Sequence, residues 1–306
     1  MANTKNTLIE SDAAAPWERS KTAPEPVKSS VRVFYVAWYG INILLVLAVL
    51  FALYAFSWEL STRRYLKGFS DAIVPASAPT EEKIQSVLAW MAHGPARLPY
   101  GPSPNVPDRD PTDTLNYDAL LQVCGTATNA FINLMDTGNV PVRRLLLVDE
   151  RHNAKHVVAE AYTDGRWIIV DPAYRLVLRD SQGRTVTREE LTNPETFADV
   201  TGKIPRYDPN YTFDRTEHVR LPRIPILGVP LRDILNRVAP TWSDSPFATL
   251  LVERESYAAA IASVLLVIFL LLARILLRWF GEHRLHLRLL RARYQLQRSV
   301  SAFFNA

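Results

Sequence analysis

The sequence predicts an α+β domain held between two membrane-spanning helices, and three observations predict it. Two long apolar runs stand near the ends of the 306-residue chain, an Asp-Gly turn joins two alternating strand-like runs in its middle, and a helical apolar stripe precedes those runs. Composition agrees with this. At 48% apolar and 22% charged residues the chain has material for one or two packed cores, which excludes wholesale disorder, collagen and a disulfide-stapled miniprotein. The net charge of +4 is unevenly spread, since residues 274–306 hold seven Lys/Arg against one Glu while residues 1–32 hold five against four Asp/Glu. The middle segment is therefore acidic and has no electrostatic footprint for nucleic acid. A single cysteine, Cys124, excludes internal disulfides and multi-thiolate zinc clusters.

Residues 1–32 are rich in Ala, Pro, Ser, Thr and charge without apolar period, and read as a disordered lead. Residues 33–56 then run for 24 positions without a charge, about 36 Å as a helix. A cleaved signal peptide is the competing reading. The long polar lead and the lack of a small-x-small site after Phe56 favour a retained span over residues 33–57. A second run, interrupted only by Arg274 near its end, gives a span over residues 255–278, with that guanidinium placed to snorkel toward phosphate. Beyond it Arg278, Arg284, Arg288 and Arg291 follow within 15 residues, whereas the 15 before hold only Arg254. Both termini are thus expected in the cytoplasm and residues 58–254 outside the membrane. The tail, residues 279–306, mixes Leu and Tyr with Arg and suits an amphipathic helix on anionic headgroups or a plain solvated flank.

Within the outer segment a helix is expected over residues 81–91, where Ile84, Val87, Leu88 and Met91 recur at spacings of three and four and Thr80 serves as N-cap. Six prolines make residues 94–113 a loop; its Asp108, Asp110 and Asp113 lack the spacing of a calcium site. A second helix is expected over residues 117–135, striped by Leu120, Leu121, Cys124, Ala127, Ala130, Phe131 and Leu134 and stopped around Gly138 and Pro141. Strands follow over residues 142–148, 156–162 and 166–170. Beyond them a Pro-punctuated stretch, residues 204–230, reads as a strap across the core carrying Tyr207, Tyr211 and Phe213, and residues 231–238 as a short helix. A groove lined by Trp242 and the tyrosines is the alternative to plain packing there.

The Asp164-Gly165 turn fixes a register. If Thr163 pairs with Arg166, Val158 stands opposite Asp171, and His156 lies on the same face as Asp171 one diagonal step away. A three-residue loop would put the two on opposite faces. A thiol near an imidazole and a helix N-terminus becomes nucleophilic, and a carboxylate that orients the imidazole completes a triad. Cys124, His156 and Asp171 are therefore the candidate catalytic residues, with the Cys124 N–H and the Gln122 side chain as candidate oxyanion donors. Each also has an ordinary reading: a core cysteine, a structural histidine, an Asp-Pro turn. His152 and His156 form an H-x-x-x-H pair, but across a polar loop and not on one helix face.

Taken together, residues 81–172 resemble the transglutaminase-like superfamily. The resemblance rests on Cys124-Gly125-x-Ala127 at a helix start, Phe131 and Leu134, then Gly138-x-x-Pro141-x-Arg143 leading into a strand. His156-x-x-x-Glu160-x-Tyr162 and Trp167-x-x-x-Asp171-Pro172 follow in the expected order. Val158 stands where the family often has an aromatic residue, and Gln122-Val123 where it often has Gly-aromatic. The resemblance implies a papain-like transglutaminase core, a helix packed on an antiparallel sheet, centred on residues 81–175. It also implies acyl transfer through a thioester on Cys124, with His156 moving the proton and no cofactor or metal needed. A protein or peptide amide is the implied substrate, and hydrolysis is favoured over cross-linking. The lipid bilayer is the expected partner, with envelope assembly components beside it. The alternative is a catalytically silent transglutaminase-like scaffold in a cell-envelope or polysaccharide assembly or export system.

Overall fold

A computed structural model describes residues 28–75, 77–93, 123–219 and 228–287. The lead up to residue 27, the Asp108/Asp110/Asp113 loop, Gln122 and the tail from residue 288 lie outside the described residues. Helix α1, Lys28–Ile73, begins inside the expected lead and runs well past the apolar stretch. It continues because no Pro or Gly-Pro pair interrupts residues 57–73 and because Thr62, Leu66, Ser70 and Val74, four apart, are buried on one face. Ser70 Oγ donates to the Leu134 carbonyl at 3.3 Å, fastening that face to the domain. Helix α2, Thr80–Ala92, buries Ile84, Val87, Leu88 and Met91 as the spacing predicts. Its N-cap is Pro79 and not Thr80, because Pro79 takes the extended conformation before the first turn and has no N–H to lose.

Helix α3, Cys124–Thr137, starts at the cysteine itself with Val123 extended before it; residues 117–122 of the expected helix lie outside the described residues. Its buried side includes Ala127, Ala130, Phe131 and Leu134, and its other side is buried too, which puts Thr128, Asn129 and Asn133 in the interior. Asn139, in the left-handed region at φ 59°, turns the chain out of α3.

Strands β1 (Val142–Val148), β2 (Ala154–Thr163), β3 (Arg166–Asp171), β4 (Leu176–Val177) and β5 (Thr216–Glu217) form one antiparallel sheet in the order β4-β3-β2-β1-β5. The hairpin pairs Thr163 with Arg166, and Asp164 and Gly165 both have positive φ, 49° and 80°, the type I′ turn that the dipeptide predicts. Val142, Ala159, Ala161, Ile168 and Val170 pack with α2 and α3 in one core. The alternate residues Leu145, Leu147, Val158 and Ile169 pack under Leu178, Val186, Leu191, Val200 and Phe213 in a second core. Residues 176–213 therefore supply a whole covering layer, including helix α4 (Pro194–Thr201); the expected strap, residues 204–230, gives Phe213 to that layer, and its residues 220–227 lie outside the described residues.

Helices α5 (Gly228–Val238) and α6 (Pro246–Glu253) lead into α7 (Glu255–His283). Two helices, α1 and α7, are long and apolar enough to cross a membrane. Leu47, Leu50 and Leu53 on α1 and Leu265, Phe269 and Leu272 on α7 are each 56–65% exposed, an apolar surface suited to lipid. Residues 48–267 form one compact unit, and the described parts of 1–47 and 268–306 form another. Within the second, Arg274 lies over the Trp38 ring at 5.6 Å, so its charge has an aromatic partner besides any phosphate.

Candidate active site

The site is assembled by three elements. The start of α3 supplies Cys124, the start of β2 supplies His156 and the last residue of β3 supplies Asp171. Alternation on β2 and β3 puts His156 with Val158 and Asp171 with Ile169, and the observed pairing of Ala159 with Val170 carries that register to the pair. His156 and Asp171 are both fully buried, and His156 Nε2 meets Asp171 Oδ2 at 2.7 Å. The other carboxylate oxygen accepts the N–H groups of Ala173 at 3.1 Å and Tyr174 at 3.2 Å. Asp171 thus both starts a turn, the ordinary reading of Asp171-Pro172, and bonds the imidazole.

Cys124 is half-buried, among Leu146, Val148 and Val157. Thr128, one turn along α3, donates its hydroxyl to the Val157 carbonyl at 3.0 Å, which pins the first turns of the helix to the strand residue next to His156. Burial opposes charge on His156, but the Asp171 carboxylate, its hydrogen bond and the neighbouring Cys124 sulfur outweigh it and raise the imidazole from 6.5 to about 9. Nε2 is engaged by Asp171. Nδ1, buried without an aligned partner, is the nitrogen left for the thiol. An imidazolium there, at a helix N-terminus, favours the thiolate. Cys124 and His156 line one cleft of about 190 Å³, along with Arg144 and His218.

Aromatic rings that the sequence did not tie to the site enclose the histidine. Tyr211 stacks on His156 with centroids 4.2 Å apart and planes 6° from parallel, while Tyr174 and Tyr207 stand edge-on at 6.0 and 6.3 Å. Burial, with the Asp171 charge and Tyr174 adding to it, pushes the Tyr207 hydroxyl well up, so it stays protonated. The tyrosines pack on His156, and Trp242 donates to Asn236 at 2.9 Å. The signal available in sequence was only the place of Tyr207 and Tyr211 in the strap; Tyr174 carried none.

The remaining motif residues meet each other. Arg143 Nε donates to Glu160 Oε2 at 2.6 Å and its guanidinium lies over Trp167 at 4.2 Å. His218 Nε2 reaches the same Glu160 oxygen at 2.7 Å. Burial would raise Glu160, but His218 and Arg143 hold it below the usual carboxylate range. His152 is exposed and pairs with Glu217 at 2.6 Å, away from His156's bond to Asp171. Gln122 lies outside the described residues; the Cys124 and Gly125 amides stand in the first turn of α3, where the helix end favours a developing oxyanion. Comparison with protein-family models, with curated proteins and with solved structures found no match to this chain.

Proposed function

We propose that this chain is a membrane-anchored cysteine enzyme with a papain-like, transglutaminase-like core that transfers an acyl group from a protein or peptide amide. The observation that carries the proposal is the buried imidazole held by Asp171 at 2.7 Å and beside the Cys124 sulfur, in a cleft at the start of α3. A structural histidine has no need of a half-buried thiol on one side and an oriented carboxylate on the other.

The Cys124 thiolate attacks the amide carbonyl carbon, forming a C–S bond, and the oxyanion rests on the first-turn amides of α3. His156 gives its proton to the nitrogen as the C–N bond breaks, so the amine departs neutral. Water then attacks the thioester, His156 takes a proton from it, and the carboxylic acid leaves as the thiolate and imidazolium return. Hydrolysis is the reading we adopt; an amine in place of water gives a cross-link. In this reading α1 and α7 are the spans, both termini are cytoplasmic, and residues 58–254 face the periplasm, within reach of envelope substrates.

The test is covalent trapping. An amide-directed electrophilic peptide should label the wild type and fail to label Cys124→Ala and His156→Ala. Equal labelling of His156→Ala removes the activated thiol from the account. Full complementation by Cys124→Ser would make the domain a scaffold instead of an enzyme.

A further inference from the structure

The side chains lining the cleft beside Cys124 include Arg144, Lys155, His156 and His218 and, among the described residues, no Asp or Glu. Lys155 gives its ammonium to the Asn210 carbonyl at 3.1 Å, and His218 is shared between Glu160 and Asp244 at 2.7 and 2.9 Å. Arg144 differs from both. It is only 7% exposed, its Nη1 is bound to Glu253, and its Nε is buried with no hydrogen-bond partner among the described residues.

In a guanidinium Nε and Nη2 form one edge, the side-on fork that matches a carboxylate. Glu253 takes the opposite end, and Nε, on that edge, has no hydrogen-bond partner among the described residues. Nη2 lies 4.0 Å from where a Cβ on Gly125 would stand, so the edge lies against the residue following the nucleophile. A purely structural ion pair with Glu253 would not leave a buried donor unmet beside a reactive sulfur.

We propose that this edge is a carboxylate subsite: the enzyme takes acyl donors that carry a carboxylate close to the scissile amide, and Arg144 determines that preference. The inference rests on Cys124 being the nucleophile proposed above. Because the chain has one cysteine, alkylation reads this site alone.

The experiment compares iodoacetate with iodoacetamide on the full chain in detergent micelles, followed by intact mass. In each case the thiolate displaces iodide and a C–S bond replaces C–I, so only the carboxylate differs. The iodoacetate/iodoacetamide rate ratio, divided by the same ratio for glutathione, should be about tenfold for wild type. It should fall about tenfold in Arg144→Gln/Glu253→Gln, which leaves no buried charge uncompensated. A ratio unchanged by that double substitution overturns the subsite, because the His156 charge alone then attracts the anion. A wild-type ratio equal to glutathione's, with iodoacetamide still much faster than on glutathione, overturns the subsite and leaves the nucleophile standing. Iodoacetamide no faster than on glutathione removes the nucleophile and the subsite with it. Independently of any variant, acetate should slow iodoacetamide alkylation of the wild type saturably while equal sodium chloride and acetamide do not. No protection by acetate also overturns the proposal.

Discussion

Replacing Asp171 by Asn isolates the charge on which the proposed chemistry turns. The side chain keeps its shape, and its oxygen can still accept from Ala173 and Tyr174, the two amides that hold Oδ1. The amide NH₂ then faces Nε2, which must become an acceptor, so the neutral imidazole carries its proton on Nδ1 and no longer serves as a base toward the sulfur. In the native protein the imidazole is raised from 6.5 to about 9, a preference for the charged form of about 3 kcal/mol. With a neutral partner, burial at this fully enclosed site works unopposed by the carboxylate and drives the ring to its uncharged form. Cys124 then loses its cation, and at pH 6 an ordinary thiol of pKa ~8.5 is thiolate only to about 0.3%. The assay is the rate of iodoacetamide alkylation of the single cysteine between pH 5 and 10. Wild type should react on a plateau that reaches into the acid range; Asp171→Asn should react about two orders of magnitude more slowly at pH 6 and approach wild type above pH 9. Superimposable profiles would refute the reasoning, since the carboxylate would then have no hold on the thiolate.

Three further outcomes follow from the geometry. The folded imidazole titrates higher than the unfolded one, so its contribution to stability is complete below about pH 6.5 and is lost as pH rises through about 9. The unfolding free energy of wild type over His156→Gln should accordingly narrow between pH 6 and pH 10, and a gap that widens would reverse the sign. Tyr211→Leu, which removes the ring stacked at 4.2 Å, should slow Cys124 labelling about fivefold while Tyr211→Phe stays near wild type. Equal loss in both variants would assign the effect to the hydroxyl. Arg254→Met strands Glu59 and Asp136, now 3.2 and 2.7 Å from the guanidinium, and should cost about 3 kcal/mol in chemical denaturation of the full chain.

The hairpin and the triad's register were legible because a two-residue turn has one favoured geometry and strand alternation is strict. Asp164 and Gly165 therefore placed His156 on the same face as Asp171, one diagonal step away and 15 positions on in the chain, with no knowledge of the rest. Helix α2 was legible for the same reason, its stripe being local. The tyrosine enclosure was not. Tyr207 and Tyr211 reach His156 across more than 50 residues, and no periodicity links a strap to the ring that it covers. The onset of α3 at Cys124 was legible only as an option, since Val123 has no capping side chain to announce it. The extension of α1 to Ile73 was hidden because polar residues after an apolar run look like a flank, whereas here Thr62, Leu66 and Ser70, four apart, are buried and Ser70 bonds to α3. Strands β4 and β5, with two residues each, carry too little pattern to read.

Arg254 grips Asn133 and Asp136 on α3 and Glu59 on α1 in one clasp, and Ser256, in the first turn of α7, holds the same Glu59 at 2.7 Å. The helix that begins at Cys124 is thereby fastened to Glu59 and to the first turn of α7 within the unit of residues 48–267. Arg254 is thus one side chain on which three helices converge, so a substitution there is felt in α1, α3 and the start of α7 at once.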